Sequence, residues 1–205
     1  MIVLSHKIQI KNPTFKQEQY FRQACGTSRF AYNWGLEEWQ KQYKAGNKPT
    51  AFKIKNIFNA IKPASFPWVF NVTKCAPEQA FANLGSAFKR FFNGQSQYPK
   101  FKKKGERDSF YLSNDQFKVF ENQVRIPKLG WVKLTESLRF SGKILSATVT
   151  LAADKWFISF QVQMEKSPLK VSQNQADVVG VDLGIKNLAT LSNGLIIEGS
   201  KPLKK

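Results

Sequence analysis

Apolar and polar positions alternate over residues 3–10, with Leu4, His6, Ile8 and Ile10 on one face, and this predicts a short strand. At Pro13-Thr14-Phe15-Lys16-Gln17 the period changes: Thr14 reads as an N-cap and Gln17 closes a capping box. That helix is expected to stop near Gly26. A second is expected from about Ser28 to Gly46, with Tyr32, Leu36, Trp39 and Tyr43 on one stripe. A third fits 51–61 and stops before Pro63. A fourth opens at Ala76-Pro77, where proline suits the first turn, carries Phe81, Leu84, Phe88 and Phe91 or Phe92, and closes at Gly94.

From about 108 the period falls to two. Phe117 with Val119, Val124 with Ile126, and Trp131 with Lys133 opposite Val132 and Leu134 predict short strands, turning at Glu121-Asn122 and Lys128-Leu129-Gly130. Longer strands follow over 144–152 and 156–164, joined as a hairpin by Ala153-Asp154. Residues 165–177 are polar and lack a period, and Val178-Val179-Gly180-Val181 begins a new strand beyond them. The order strand, helices, many strands predicts an α+β chain. Its N-terminal strand joins the later ones in a small β-barrel (1–12 and 107–166), with the helices inserted between (13–106). A linker (167–177) and further strands (178–205) complete the expected organisation.

Composition narrows the class. The 205 residues carry 32 Lys+Arg against 14 Asp+Glu, a formal charge of +18, while 18 Phe and 5 Trp supply a core. A disordered basic tail is excluded. No run approaches the roughly 18 apolar residues of a membrane span, and the N-terminal apolar stretch is too short for a signal peptide, so a soluble, cytoplasmic protein is expected. Cys25, Cys75 and the single His6 cannot assemble a zinc ribbon or a His-based zinc site, and His6 reads as a strand-face residue rather than a base.

Across 50–105 stand ten Lys/Arg (Lys53, Lys55, Lys62, Lys74, Lys89, Arg90, Lys100, Lys102, Lys103, Lys104) against one acid, Glu78. A single such cluster is usually a solvated face. An imbalance over a whole segment repels itself and favours a polyanionic partner. Tyr98-Pro99-Lys100-Phe101-Lys102-Lys103-Lys104 interleaves cations, able to hold phosphates, with rings on which bases can stack. Nucleic acid is favoured over an anionic membrane because no helix shows a basic, lipid-facing stripe.

Further on, the strand ending in Val181-Asp182-Leu183-Gly184 carries one carboxylate, a second strand runs Leu188 to Leu191, and Ser192-Asn193-Gly194 turns into a third. The pattern resembles the opening of an RNase H-like fold, whose first strand projects an aspartate that helps hold two Mg²⁺ ions; the plain reading is an Asp at a strand end. Four ordered stretches sharpen the choice. They are Thr27-Ser28-Arg29-Phe30-Ala31-Tyr32-Asn33-Trp34, Phe91-Phe92 with 98–104, Ile126-Pro127-Lys128-Leu129-Gly130-Trp131-Val132-Lys133, and Gly180-Val181-Asp182-Leu183-Gly184-Ile185-Lys186. Together they resemble the TnpB (OrfB) proteins of bacterial insertion sequences, RNA-guided DNA endonucleases related to type V CRISPR effectors.

The resemblance implies a WED-like barrel interrupted by a helical recognition segment, then a RuvC nuclease domain. It implies guide RNA and target DNA as partners and Mg²⁺ as the nuclease cofactor. Asp182 matches the first catalytic, metal-binding aspartate. Lys74, Glu78, Ser113 and Asn114 match positions that read the short DNA motif beside the target, though Glu78 departs from the amide expected there and each could be an ordinary surface residue. Lys89, Arg90, Lys100, Lys102, Lys103 and Lys104 are expected on the nucleic-acid backbone, with Tyr98 and Phe101 stacking.

The second-motif glutamate, the zinc ribbon and the third-motif aspartate of that family have no counterparts in these 205 residues; after the linker only Asp182 and Glu198 remain. Asp182 is therefore expected to be a ligand without a complete site, binding no Mg²⁺ tightly, and the chain to be a truncated, inactive nuclease. A stand-alone RNA- or DNA-binding module is the alternative, and a structural RNA-binding protein, which would not need the Asp182 strand, a third.

Overall fold

The computed structural model describes residues 1–165, 179–184 and 187–199. The chain divides into two units, Met1–Lys166 and Ser167–Lys205, taken separately below. The expected linker lies outside the described residues.

In the first unit the order is β1 (Ile2–Gln9), α1 (Phe15–Lys44), α2 (Ala51–Ser65), a 3₁₀ turn (Pro67–Asn71), α3 (Cys75–Phe92), β2 (Ser109–Ser113), β3 (Lys118–Phe120), β4 (Gln123–Ile126), β5 (Gly130–Lys133), β6 (Lys143–Ala152) and β7 (Lys155–Met164). The N-terminal strand does join the later ones: the first sheet runs β1-β7-β6-β2, all antiparallel. The expected closed barrel is not formed. The short strands make a separate sheet, β3-β4-β5, joined to β1 by the Ile10–Leu134 bridge and by Lys11 N–H donating to the Lys133 carbonyl at 2.8 Å.

The physical reason lies in what fills the interior. The first turns of α1 put Tyr20, Phe21, Ala24 and Cys25 into the same core as Phe110, Leu112, Trp156 and Phe160, with Phe21 centred 5.1 Å from Trp156. The sheets thus cover their apolar faces with a helix as well as with one another, and closure is not needed to bury them.

Two expected helix ends are corrected. Gly26 does not stop the first helix, and α1 is one rod of 30 residues begun by the expected Thr14–Gln17 capping box. Ala24, Cys25, Thr27 and Ser28 around the glycine are all buried, and their packing outweighs the ~1 kcal/mol that glycine costs a helix. Pro63 lies inside α2, near its end, and the turn still closes, Phe66 N–H donating to Lys62 O at 2.9 Å. Beyond Gly26 the same rod enters a second core, where Leu36 and Trp39 meet Ile54 and Phe58 of α2 and Phe81, Leu84 and Phe88 of α3. Trp39 stacks on Phe88 at 4.0 Å, nearly parallel.

The second unit holds β8 (Val181–Leu183), β9 (Asn187–Leu191) and β10 (Ile196–Glu198), antiparallel in the order β10-β9-β8. Val181 and Leu183 share one face and Asp182 takes the other, opposite Thr190.

Two glycines separate helix continuity from close packing. A Cβ at Gly26 would meet only the Arg29 guanidinium, at 3.9 Å, whereas at Gly85 it would stand 2.8 Å from the Ala51 Cβ. Gly26→Ala should raise the free energy of unfolding by about 0.4–1 kcal/mol. Gly85→Ala should lower it by about 1–3 kcal/mol by forcing α2 and α3 apart. Urea titration of both variants checks the pair; a destabilised Gly26→Ala would mean that α1 is broken there.

Candidate nucleic-acid interface

One face of α1 builds the principal surface. Arg29, Tyr32 and Asn33 follow one another at helical spacing and all three grip the segment that enters β2. The Arg29 guanidinium lies 2.7 Å from Asp108, half-buried on both sides, and the second Asp108 oxygen accepts from Gly105 N–H at 3.3 Å. Asn33 takes Lys102 by its backbone in both directions, accepting from its N–H at 2.8 Å and donating to its carbonyl at 3.0 Å. The Lys102 ammonium sits 4.3 Å over the Tyr32 ring. Two stretches singled out separately in the sequence, 27–34 and 98–104, are therefore the two halves of one clamp.

The clamp sorts the cations. Lys102 is exposed as a residue, yet loss of hydration over the ring lowers the pKa of its ammonium. Its ammonium is thus engaged by the Tyr32 ring. Lys100, Lys103 and Lys104 are exposed, as are Lys89 and Arg90 in the last turn of α3. Both expected stacking rings are exposed, Tyr98 by 41% with Phe88 and Phe91 edge-on at 5.5 and 5.2 Å, and Phe101 by 52% beside Arg29, Asn33 and Trp34.

The expected motif-reading residues fall at the meeting of α3 and β2. Lys74 occupies the N-cap of α3 and Ser113 ends β2; Asp115 joins them, lying 3.9 Å from the Lys74 ammonium and accepting from the Ser113 hydroxyl. Hydrogen bonds from Ser113 and then Gln116 hold the Asp115 carboxyl below the usual range. Ser113 Oγ also lies 3.2 Å from the buried Cys75 sulfur. Glu78 is exposed one turn further along α3, and Asn114 is exposed after Ser113. A groove of about 510 Å³ starts at Asp115 and is lined by Lys118, Arg125 and Lys128.

Sequence reasoning missed the residue that fixes this corner. The Tyr20 hydroxyl accepts from Thr73 N–H at 3.0 Å and donates to the Pro127 carbonyl at 2.9 Å, tying α1 to the start of α3 and to the β4–β5 turn. Tyr20 lies one turn before Ala24 on the buried stripe, but periodicity reports only that such a ring is inside.

Asp182 is exposed on β8, and Glu198 lies on the far strand of that sheet, separated from it by β9. Among the described residues no three His, Cys, Asp or Glu side chains come together to hold a metal. They do not by themselves make up a two-Mg²⁺ centre. Among them, too, no helix is long and apolar enough to cross a membrane.

The site is a cationic strap clamped to a helix, on a mixed helix-and-sheet scaffold. Residues 1–48 match the helix-turn-helix domain profile of the OrfB proteins of IS605-type elements, although here those residues form β1 and a single helix. InsQ of Escherichia coli (strain K12), provisionally named an RNA-guided DNA endonuclease, is 32% identical over 203 residues, 97% of this chain and 50% of InsQ. A similarly named protein of Streptomyces pristinaespiralis is 24% identical over 92% of this chain and 48% of its own length. The chain spans about half the length of these relatives. A solved Cas12f1–sgRNA–target DNA complex aligns over 98% of this chain and 56% of its own, at 15% identity and a TM-score of 0.43.

Burial pushes the Tyr20 phenol up to about 12 and the Cys25 thiol likewise to about 12, from 10.0 and 9.0. The folded chain holds both protons more tightly than the unfolded chain, so their contribution is complete below about pH 9 and is lost as pH rises towards 12. Stability should fall over that range, and less steeply in Tyr20→Phe. At neutral pH the same variant should be about 1–3 kcal/mol less stable, because Thr73 N–H loses its buried partner. Urea midpoints of both proteins at stepped pH test this; parallel curves would contradict it.

Proposed function

We propose that this chain binds guide RNA and target DNA as part of a TnpB-type, RNA-guided DNA endonuclease. In this reading residues 1–12 and 107–166 are the WED-like part, 13–106 the recognition insertion, and 178–205 the first strands of a RuvC domain. Lys100, Lys103, Lys104, Lys89 and Arg90 take phosphates, and Phe101 takes a base. Lys74, Ser113 and Asn114, with Glu78 beside them, read the DNA motif. Asp182 would supply one carboxylate towards a Mg²⁺ set, and the metal would supply the Lewis-acid chemistry of phosphodiester hydrolysis.

The observation that carries the reading is the meeting of Lys74 with Ser113. They stand 39 positions apart in sequence, yet Asp115 joins them at one exposed corner beside a basic groove. The strand order β10-β9-β8, with Asp182 on an outer strand, supports the RuvC part. Asp115 supports a role for Ser113: with its hydroxyl proton directed to the carboxylate and Cys75 against the same oxygen, a remaining lone pair would accept from a base edge.

The test uses the guide-loaded protein and a DNA library randomised beside the target. Binding should select a short motif. Lys74→Ala and Ser113→Ala should flatten that selection at separate positions, each by about 1–3 kcal/mol per base pair. A selection profile unchanged by both would refute the assignment. In guide RNA binding, Lys103→Ala and Lys104→Ala should each lower the log–log salt slope by about 0.7–0.9, and Lys102→Ala by less than half of that. Equal losses at all three would mean that Lys102 leaves Tyr32 to take a phosphate.

A further inference from the structure

The outward face of the β3-β4-β5 sheet shares Lys118 and Arg125 with the groove above, but its two exposed rings, Phe120 and Trp131, take no part in the surfaces described so far. Its register sets Lys118, Arg125 and Trp131 side by side in one row and Phe120, Gln123 and Lys133 in the next. All six turn away from Val124 and Val132, which face the core. Phe120 is 63% and Trp131 47% exposed, although both are large apolar rings. Among the described residues, no aromatic ring stacks on either and no cation sits over either, while such partners are common elsewhere in the first unit. The face holds three cations and no acid. The acids flanking β3 in sequence are Asp115 before it and Glu121 after it, and Asp115 is engaged by Ser113 and Gln116.

We propose that this face is a stacking platform for an unpaired RNA segment: two bases lie on Phe120 and Trp131, and Lys118, Arg125 and Lys133 hold the phosphates. The proposal rests on the nucleic-acid reading above and adds to it a second contact surface. Strand geometry puts the two rings two strands and one row apart, roughly 12 Å. A continuous stack advancing ~3.4 Å per step, with its bases paired, cannot present separate faces to both rings. Splayed, unpaired bases can, and RNA exposes these in loops and bulges. Gln123, the neutral polar group in the grid, carries both a donor and an acceptor, the complement of a 2′-hydroxyl.

The experiment measures fluorescence anisotropy of the full chain with labelled single-stranded RNA of about 12 nucleotides, the same sequence as DNA, and an RNA duplex. The Phe120→Ala/Trp131→Ala double variant should bind the unpaired RNA about tenfold or more weakly, and the duplex within about twofold of the parent. Phe120→Tyr/Trp131→Phe keeps the rings and should keep the affinity. Ultraviolet cross-linking should recover RNA on the peptide containing Trp131. Both positions are exposed, so thermal melting should be unchanged in either variant. Parent binding with no loss in the Ala pair overturns the platform while leaving the nucleic-acid reading intact. An equal loss on DNA overturns the commitment to RNA, and absence of binding by the parent overturns both.

Discussion

Everything in the first unit depends on α1 remaining one rod through Gly26. Its first turns complete the core under the sheets and its later turns complete the helical core, so two apolar clusters are joined without a flexible joint. The clamp residues Arg29, Tyr32 and Asn33 lie between those two attachments. A break at Gly26 would leave the strap bound to a helix free to turn relative to the sheet that the strap itself enters. Rigidity here is a matter of shared packing rather than of helix propensity.

Much of this architecture was legible locally. The Thr14–Gln17 capping box, the alternation of Ile8 and Ile10, and the Ala153–Asp154 turn, with both residues at positive φ, are short-range signals, and each element formed where its signal lay. What failed depended on partners. Gly26 is a breaker only when nothing packs around it, and a single sequence does not say what will; Pro63 is exposed and stands two residues before the end of α2, where the helix stops anyway. The barrel was inferred from strand order, but whether sheets close depends on what else covers them, here Phe21 and its neighbours.

The candidate site shows the same division. The basic stretch and its rings could be found by composition, and Lys74, Ser113, Asn114 and Glu78 by resemblance alone. Which lysine is engaged by a ring could not be read, because Lys100, Lys102, Lys103 and Lys104 are chemically alike until Tyr32 and Asn33 single one out. Asp115 escaped notice because nothing local marks it; it matters through Ser113 and Lys74. Trp131 was visible as the outward residue of an alternating strand, but a single row carries no hint that Phe120 completes the surface from another strand.

The pairing of β1 with β7 has a consequence in time. Ile2 lies opposite Met164, so β1, once synthesised, waits for almost the last part of its unit. At about 5–20 residues per second that delay is roughly 8–30 s. The helical core between Ala31 and Phe88 is complete in sequence long before and can assemble first. During the interval β1 presents an unpaired edge with Ile8 and Ile10 uncovered, a template for wrong partners. Its charged Lys7 and polar Ser5 and Gln9 face the other way, which keeps the waiting strand apolar on one side only.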